Sequence, residues 1–335
     1  MSEKDLPDPD EETTEEPTTD LVDPKQELKK KKKNPYYSRL ESTVNFDYPR
    51  LRDVIMDEEL HKEVEQIITG ITNRDVYEIM GGSPGHIYVM SGPPGSGKSF
   101  SVKAIRNEIY DITKKVHWAE YNIGDQGTAY INMGARNLRK FYDGALAHAK
   151  EDGRTSIIFH DEIDILLGAR GNRHASKEDD KITNEAMLIW QEIQDIPQYS
   201  GVYVFGATNF PEAIDKAAMR SGRVDRHVKF KLPGIDERKR AFQLAVRQTM
   251  SKAMYKSFDN LDYQALAKQS DGCNYADITQ CVKNALNNRA HDFIIDSEGV
   301  ETIAKPPVVT TDYVSRALDE ICSSKEKKRT IGFVK

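Results

Sequence analysis

Short apolar runs alternate with longer amphipathic stretches through the middle of the chain. Runs of strand length, rich in β-branched and aromatic residues, predict strands at 87–90, 116–121, 156–160, 201–207 and 228–232. Apolar residues at helical spacing predict helices at 51–69, 98–110, 137–150 and 184–194, with Gly70 as the stop of the first. Because strands that alternate with helices form βαβ units, we predict an α/β fold over residues 46–232, with a mainly parallel sheet sandwiched between helices.

The pattern changes after Pro233-Gly234, where helical spacing replaces strand-length runs. Apolar periodicity predicts helices at 236–249, 261–269, 276–291 and 311–323. A small hairpin is also indicated around Ser297-Glu298-Gly299. We therefore predict a second, smaller helical domain at 233–323.

Charged segments lie at both ends of the chain. Residues 1–45 combine a stretch of mostly Asp, Glu, Thr and Pro with an unbroken basic run from Lys29 to Lys33. Such a segment buries too little apolar surface to offset its ordering entropy, so we predict a disordered tail. The lysine run is either a solvated charge block, a nuclear address or a contact for acidic partners. Residues 324–335 predict a second, basic tail.

Composition narrows the class of protein. The 335 residues contain 48 Lys and Arg against 54 Asp and Glu, a net charge of −6, which gives no reason to expect nucleic-acid or anionic-membrane binding over the whole surface. Cys273, Cys281 and Cys322 form no C-x-x-C pair, which indicates a reducing compartment, the cytoplasm or the nucleus, and no disulfide scaffold. Without a signal peptide or a run of about 18 apolar residues, we expect no secretion and no membrane span.

A glycine-rich turn follows the first predicted strand and leads into a helix. It reads Gly92-Pro93-Pro94-Gly95-Ser96-Gly97-Lys98-Ser99 and fits G-x-x-x-x-G-K-[ST]. Glycines let the backbone wrap closely around phosphates, and the helix N-terminus adds converging N–H donors. The motif predicts ATP binding, with Lys98 at the β- and γ-phosphates and the Ser99 hydroxyl on Mg²⁺.

Polar residues follow two later strands. Asp161 and Glu162 come directly after the run Ile157-Ile158-Phe159-His160, and Asn209 follows another strand. Because parallel strands deliver their carboxyl ends to one edge of a sheet, we expect Asp161 to hold Mg²⁺ and Glu162 to deprotonate the attacking water. Alone, the acidic pair would be an ordinary strand-end charge pair. Asn209 is predicted to sense the γ-phosphate or to position the water.

These motifs continue into Ile214-Asp215 and then Arg220-Ser221-Gly222-Arg223-Val224-Asp225-Arg226. In this order they resemble an AAA ATPase of the AAA+ superfamily, on its protein-remodelling branch, over roughly residues 53–321. The resemblance implies a P-loop NTPase sheet followed by a helical lid. It also implies that Asn209 is the sensor asparagine and that Arg220 and Arg223 are arginine fingers reaching a neighbouring subunit's nucleotide. The alternative is that these arginines pair only with local acids.

The same resemblance extends into the lid and toward a central channel. Ala276 and Asp277 match the family's G-A-D-[IL] beside the nucleotide, although Tyr275 stands where the family has Gly. Tyr130 and Ile131 match its aromatic–aliphatic pore pair, with Asn132 in place of the usual glycine. The alternative for Tyr130 is a plain buried tyrosine. His160 replaces an apolar residue, and we predict a buried neutral histidine.

The motifs thus predict Mg²⁺-dependent ATP hydrolysis, and the resemblance implies a ring of identical copies, a hexamer, that unfolds or disassembles protein substrates. An AAA+ ATPase acting on nucleic acid, like a loader or an initiator, is the alternative. Only the lysine run and the basic C-terminal residues support it, and no helix-turn-helix is recognisable. A polypeptide substrate or adaptor is implied, but the sequence does not name it.

Overall fold

A computed structural model of the chain describes residues 49–121, 134–152, 155–168, 177–220, 222–253, 256–296 and 307–331. The predicted N-terminal tail, residues 1–45, lies wholly outside the described residues. So do the hairpin around Ser297 and the pore residues Tyr130 and Ile131.

The predicted parallel sheet is present. Its strands are β1 (Ile87–Ser91), β2 (Val116–Glu120), β3 (Thr155–His160), β4 (Val202–Thr208) and β5 (Arg226–Lys229). They lie in the order β2-β3-β4-β1-β5, and all neighbouring pairs are parallel. The sequence placed β5 at 228–232, which was too late. The ladder with β1 pairs Tyr88 with Arg226 and Ser91 with Lys229, so pairing sets these bounds and not the apolar pattern.

Both faces of the sheet are buried, because successive side chains of each strand point to opposite sides. In β1, Tyr88 and Met90 join one core, whereas Ile87 and Val89 join the other. Helices cover both faces, as the prediction of an α/β sandwich requires. The helices that cover the faces are α1 (Glu58–Thr72), α3 (Lys98–Thr113), α4 (Gly134–Asp152), α5 (Ile163–Leu166) and α6 (Lys177–Asp195). The short helix α2 (Arg74–Ile79) follows α1 and has no buried residue.

The first predicted helix is wrong at both ends. Residues Leu51–Asp53 form a short 3₁₀ turn, and α1 begins only after Asp57, whose carboxylate accepts a hydrogen bond from Leu60 N at 2.8 Å. Gly70 does not stop this helix, which continues to Thr72. A Cβ at Gly70 would lie 3.0 Å from Pro84 Cβ, so the glycine permits a close approach of the chain.

The remaining elements are helical, as predicted for the lid. They are α7 (Ile235–Met250), α8 (Tyr263–Gln269), α9 (Tyr275–Asp296) and α10 (Thr311–Ile331). Their core contains Phe242, Cys281 and Leu318, each fully buried. The last helix runs past its predicted end at Ser323 to Ile331, so residues 324–331 of the predicted basic tail are helical. The lysines, the glutamate and the arginine of this stretch are good helix formers. Among the described residues, no helix is long and apolar enough to cross a membrane.

Two contacts hold the lid beside the segment that precedes α1, and a third contact lies next to them. Arg240 Nη2 donates to Met56 O at 2.9 Å, and Ile55 packs against the lid core. Lys231 Nζ lies 3.2 Å from Glu59 Oε2 at the connection between the two parts. The stretch 53–56 therefore lies between the lid and the start of α3.

Candidate active site

The turn between β1 and α3 is shaped by its glycines. Gly92, Gly95 and Gly97 have φ values of 151°, 72° and 96°, which L side chains rarely adopt. A Cβ at Gly92 would lie 2.3 Å from Phe230 O, so this position accepts only glycine without a shift of the backbone. The loop Gly92-Pro93-Pro94-Gly95-Ser96-Gly97 thus wraps closely and leads directly into Lys98, the first residue of α3.

Lys98 is buried beneath this loop. Its Nζ donates to Gly92 O and Pro93 O, both at 2.9 Å, and to Asn209 Oδ1 at 2.7 Å. Burial lowers the pKa of Lys98, and the negative charge of Asp161 opposes that effect. The structure therefore brings Asn209, from the end of β4, to the phosphate loop, as the sequence predicted for the sheet edge.

Ser99 and Asp161 also meet at this edge. Ser99 Oγ lies 3.2 Å from Asp161 Oδ1 and 3.1 Å from Asp161 Oδ2. A hydroxyl and a carboxylate are the oxygen ligands that Mg²⁺ takes beside a nucleotide. Both side chains are accessible at the mouth of the site, so they fit the divalent ion that the phosphate loop implies.

Glu162 occupies a strained backbone position between β3 and α5. Its φ and ψ are 54° and 49°, in the left-handed region that non-glycine residues rarely adopt. Such strain is of order 1–3 kcal/mol and persists where the surrounding structure imposes it, which is common at active sites. The side chain is exposed beside Asp161. A carboxylate held here can accept a proton from water.

Thr208 and Asp164 fix this strained turn, and sequence reasoning missed them. Thr208 Oγ1 donates to Asp164 Oδ1 at 2.6 Å, which joins the end of β4 to α5. A Cβ at Gly206 would lie 2.2 Å from Ile163 Cδ1, so α5 packs directly on β4. No motif signals these contacts, because they depend on the pairing of β3 with β4.

His160 is buried, as the sequence predicts, with 1% of its surface exposed. Tyr142 Oη lies 2.7 Å from His160 Nε2, and Trp190 Nε1 donates to the same hydroxyl at 3.0 Å. That hydroxyl therefore contacts both Trp190 and His160. Burial lowers the pKa of His160 to about 3. The chain of three side chains anchors the residue immediately before Asp161.

Two cavities meet at the phosphate loop. A smaller one of about 290 Å³ is lined by Lys98, Ser99, Asp161, Glu162 and Asn209. A larger, mainly apolar one of about 480 Å³ lies between residues 53–55, the loop and the lid. Both are bordered by Gly95, Gly97 and Phe100. A polar pocket continuous with an apolar one matches a phosphate chain attached to a base.

The donor set of the smaller cavity suits phosphate. Helix geometry leaves the first N–H groups of α3 without intrahelical partners, and they face the loop. The Ser96 hydroxyl is buried and has no hydrogen-bond partner among the described residues. An anion with several acceptor oxygens would satisfy such groups.

The lid contributes Ala276 to the lining of the larger cavity. Asp277 is used differently, because its Oδ2 accepts a hydrogen bond from Asn274 N at 2.8 Å at the start of α9. Tyr275 also lines the larger cavity, and a Cβ at Gly97 would lie 3.9 Å from its Cδ2. The aromatic ring therefore borders the junction of the two cavities.

The two candidate finger arginines differ in their surroundings. Arg220 is exposed, and its guanidinium makes no hydrogen bond or ion pair with other described residues. Arg223 is half-buried, and its Nη1 donates to Ala217 O at 3.0 Å and lies 3.0 Å from Met187 Sδ. The neighbouring Asp225 accepts from Ile87 N at 2.8 Å, which fixes this loop to the start of β1. The side chain of Arg223 thus contacts other residues of its own chain, whereas the side chain of Arg220 is exposed to solvent.

Comparison with known proteins gives one family match. Residues 88–232 match the model of the ATPase family associated with various cellular activities (AAA). The matched range contains the phosphate loop, Asp161, Glu162, Asn209 and both arginines.

Curated relatives align over most of the chain. An ATP-dependent zinc metalloprotease FtsH 2 of Phytoplasma mali is 30% identical over 297 residues, which cover 88% of this chain and 39% of that protein. A proteasome-activating nucleotidase of Methanopyrus kandleri is 29% identical over 274 residues, with 82% and 56% covered. Cell division protein C of Sulfolobus acidocaldarius is 29% identical over 243 residues, with 72% and 59% covered. The chain thus spans about two fifths of the length of the metalloprotease relative.

Proposed function

Because this chain belongs to the AAA family of ATPases, we propose that it is an ATP-hydrolysing ring protein that unfolds polypeptides or takes protein complexes apart. The observation that carries the proposal is the convergence of Lys98, Asn209, Ser99 and Asp161 around one cavity at the carboxyl edge of the sheet. The exposed Arg220 adds a cation that no contact within the described chain engages.

Each residue at this edge has a proposed part in hydrolysis. The N–H groups of the loop and Lys98 bind the phosphates, and Lys98 neutralises charge on the transferring group. Ser99 and Asp161 hold Mg²⁺, which supplies Lewis-acid stabilisation of the phosphate oxygens. Glu162 accepts the proton of the attacking water, and Asn209 orients that water. The nucleotide base enters the larger cavity beside Ala276.

We propose that the active site is completed by a second copy. An arginine that is free in its own chain can reach the nucleotide of a neighbour and stabilise the charge of the transition state. Arg220 has this freedom. Arg223 makes two contacts within its own chain, so in this proposal it also shapes the loop that presents Arg220. A ring of six copies closes such contacts, since each copy both donates and receives an arginine.

The proposed substrate is a polypeptide drawn into the centre of the ring by Tyr130 and Ile131. The names of the relatives support a protein substrate, since they refer to a protease and to activation of the proteasome. In this proposal residues 46–232 bind nucleotide and 233–323 act as the lid, and their relative motion moves the pore residues. All three cysteines are thiols, which suits a reducing compartment, the cytoplasm or the nucleus.

Mixing two inactive variants tests the shared site. Lys98→Ala cannot bind nucleotide but retains its arginine, whereas Arg220→Ala binds nucleotide but supplies no finger. Each alone should hydrolyse ATP at least about tenfold more slowly than the wild type. Mixed rings should regain a substantial part of the activity, because each Arg220→Ala site can receive the arginine of a Lys98→Ala neighbour.

The matched control carries both changes on one chain. Mixing this double variant with Arg220→Ala offers no intact arginine and should restore nothing. If the first mixture also stays inactive while both variants assemble, Arg220 does not act between copies. If the wild type hydrolyses no ATP with Mg²⁺, the proposed function itself is wrong.

A further inference from the structure

Asn274 connects the lid directly to the phosphate loop. It precedes α9, and its Oδ1 accepts a hydrogen bond from Asp277 N at 2.8 Å, which makes it the N-cap of that helix. The nitrogen of the same amide, Nδ2, donates to Pro94 O at 3.0 Å. One side chain therefore caps a lid helix and binds the loop, through different atoms.

A second hydrogen bond and close packing between Asn274 and Gly95 accompany the bond to Pro94. Tyr275 N donates to Gly95 O at 3.2 Å. A Cβ at Gly95 would lie 2.5 Å from Asn274 Cγ, so the glycine leaves the space that the amide fills. Two successive loop carbonyls are thus held by two successive residues at the start of α9.

We propose that Asn274 is a positioning residue that makes nucleotide affinity depend on the position of the lid. The inference rests on the proposed nucleotide site, but not on the proposed ring or its polypeptide substrate. The proposed role depends on the Nδ2 donor of Asn274, whereas capping of the helix requires only the Oδ1 acceptor.

The geometry of the peptide group explains the effect. In a trans peptide the C=O and the N–H point in opposite directions. When Asn274 holds Pro94 O, the N–H of Gly95 points away from Asn274, and in this proposal it donates to a phosphate oxygen. Release of this bond lets the peptide rotate, so the N–H donors must be ordered again each time nucleotide binds.

Asn274→Ser separates the two roles. Serine is as good an N-cap as asparagine, but it has no second donor that can reach Pro94 O. We expect ADP and a non-hydrolysable ATP analogue to bind about threefold to tenfold more weakly, the range for loss of one hydrogen bond. KM for ATP should rise by a similar factor while kcat changes little. Amide exchange of residues 92–99 without nucleotide should be faster.

The melting temperature distinguishes positioning from simple damage to the lid. Asn274→Ser should melt close to the wild type. The control Asp262→Ala removes the N-cap of α8, where the carboxylate accepts from Gln264 N and Ala265 N, and should lower the melting temperature without changing nucleotide affinity. Asn274→Asp keeps an acceptor but loses the donor, so it should weaken binding as the serine variant does.

Equal affinity, equal KM and equal loop exchange in folded Asn274→Ser would overturn the proposal. Weaker binding in Asp262→Ala as well would also overturn it, because general loosening of the lid would then explain the effect. Failure of the wild type to bind either nucleotide would refute the nucleotide site instead, so the two failures are distinguishable.

Discussion

The buried His160 should make the stability of the α/β part fall in mild acid. Burial lowers the pKa of His160 from 6.5 to about 3. Between these two pH values His160 is therefore neutral in the native state but protonated in the unfolded state. The free energy of unfolding is therefore at its full value above pH 6.5, the pKa in the unfolded state. It decreases as the pH falls from there toward the pKa of His160 in the native state. The loss is about 1.4 kcal/mol per pH unit, or about 2 kcal/mol at about pH 5.

Urea unfolding followed by tryptophan fluorescence measures this effect. Trp118 and Trp190 are buried in the α/β part, and the chain contains 2 tryptophans, so the signal reports that part alone. His160→Gln keeps an acceptor for Tyr142 but does not titrate. Between about pH 7.5 and about pH 5, the wild type should lose about 2 kcal/mol more than this variant.

The exposed His291 provides the matched control. His291→Gln should follow the wild type at both pH values, because the histidine side chain is 74% exposed. If His160→Gln loses as much stability as the wild type, the imidazole is already protonated or solvated in the native state. The reasoning from burial would then be refuted.

Other predictions concern turnover and substrate handling. Glu162→Gln should bind ATP with near wild-type affinity but hydrolyse it about 10²- to 10⁴-fold more slowly in a phosphate-release assay, whereas the exposed Glu212→Gln should change neither. Asn209→Ala should lower kcat about tenfold or more, with a smaller change in nucleotide affinity, because Lys98 and the attacking water lose an orienting group. An unchanged kcat would show that Asn209 takes no part in hydrolysis. Tyr130→Ala should keep basal ATPase and stop unfolding of a tagged model protein, while Tyr130→Phe keeps both. Parallel loss of both activities in Tyr130→Ala would indicate a core tyrosine.

Much of the fold was predictable because its signals are local. The glycine-rich turn, the apolar strands and the carboxylates after β3 are all readable from neighbouring residues, and the sheet edge follows from parallel pairing. The limits of β5 were not readable, since they depend on its ladder with β1. Gly70 resembles a helix stop, but its role comes from Pro84, which follows in a separate segment.

The candidate site likewise contains features that the sequence predicts and others that depend on contacts between distant segments. Lys98 and Asn209 are 111 positions apart and still meet where the motif order predicted. The bond from Asn274 to Pro94 spans 180 positions and has no motif, because it depends on how the lid lies against the loop. The different surroundings of Arg220 and Arg223 are visible only in the structure, since both fit the same sequence pattern.

The dependence of ATPase activity on protein concentration tests the shared active site most directly. Turnover per chain should be measured over a dilution series, with light scattering on the same samples to follow assembly. If neighbouring copies complete each site, turnover per chain should fall as assemblies dissociate and should approach the low rate of Arg220→Ala. Full turnover per chain in samples that contain only monomers would contradict the account.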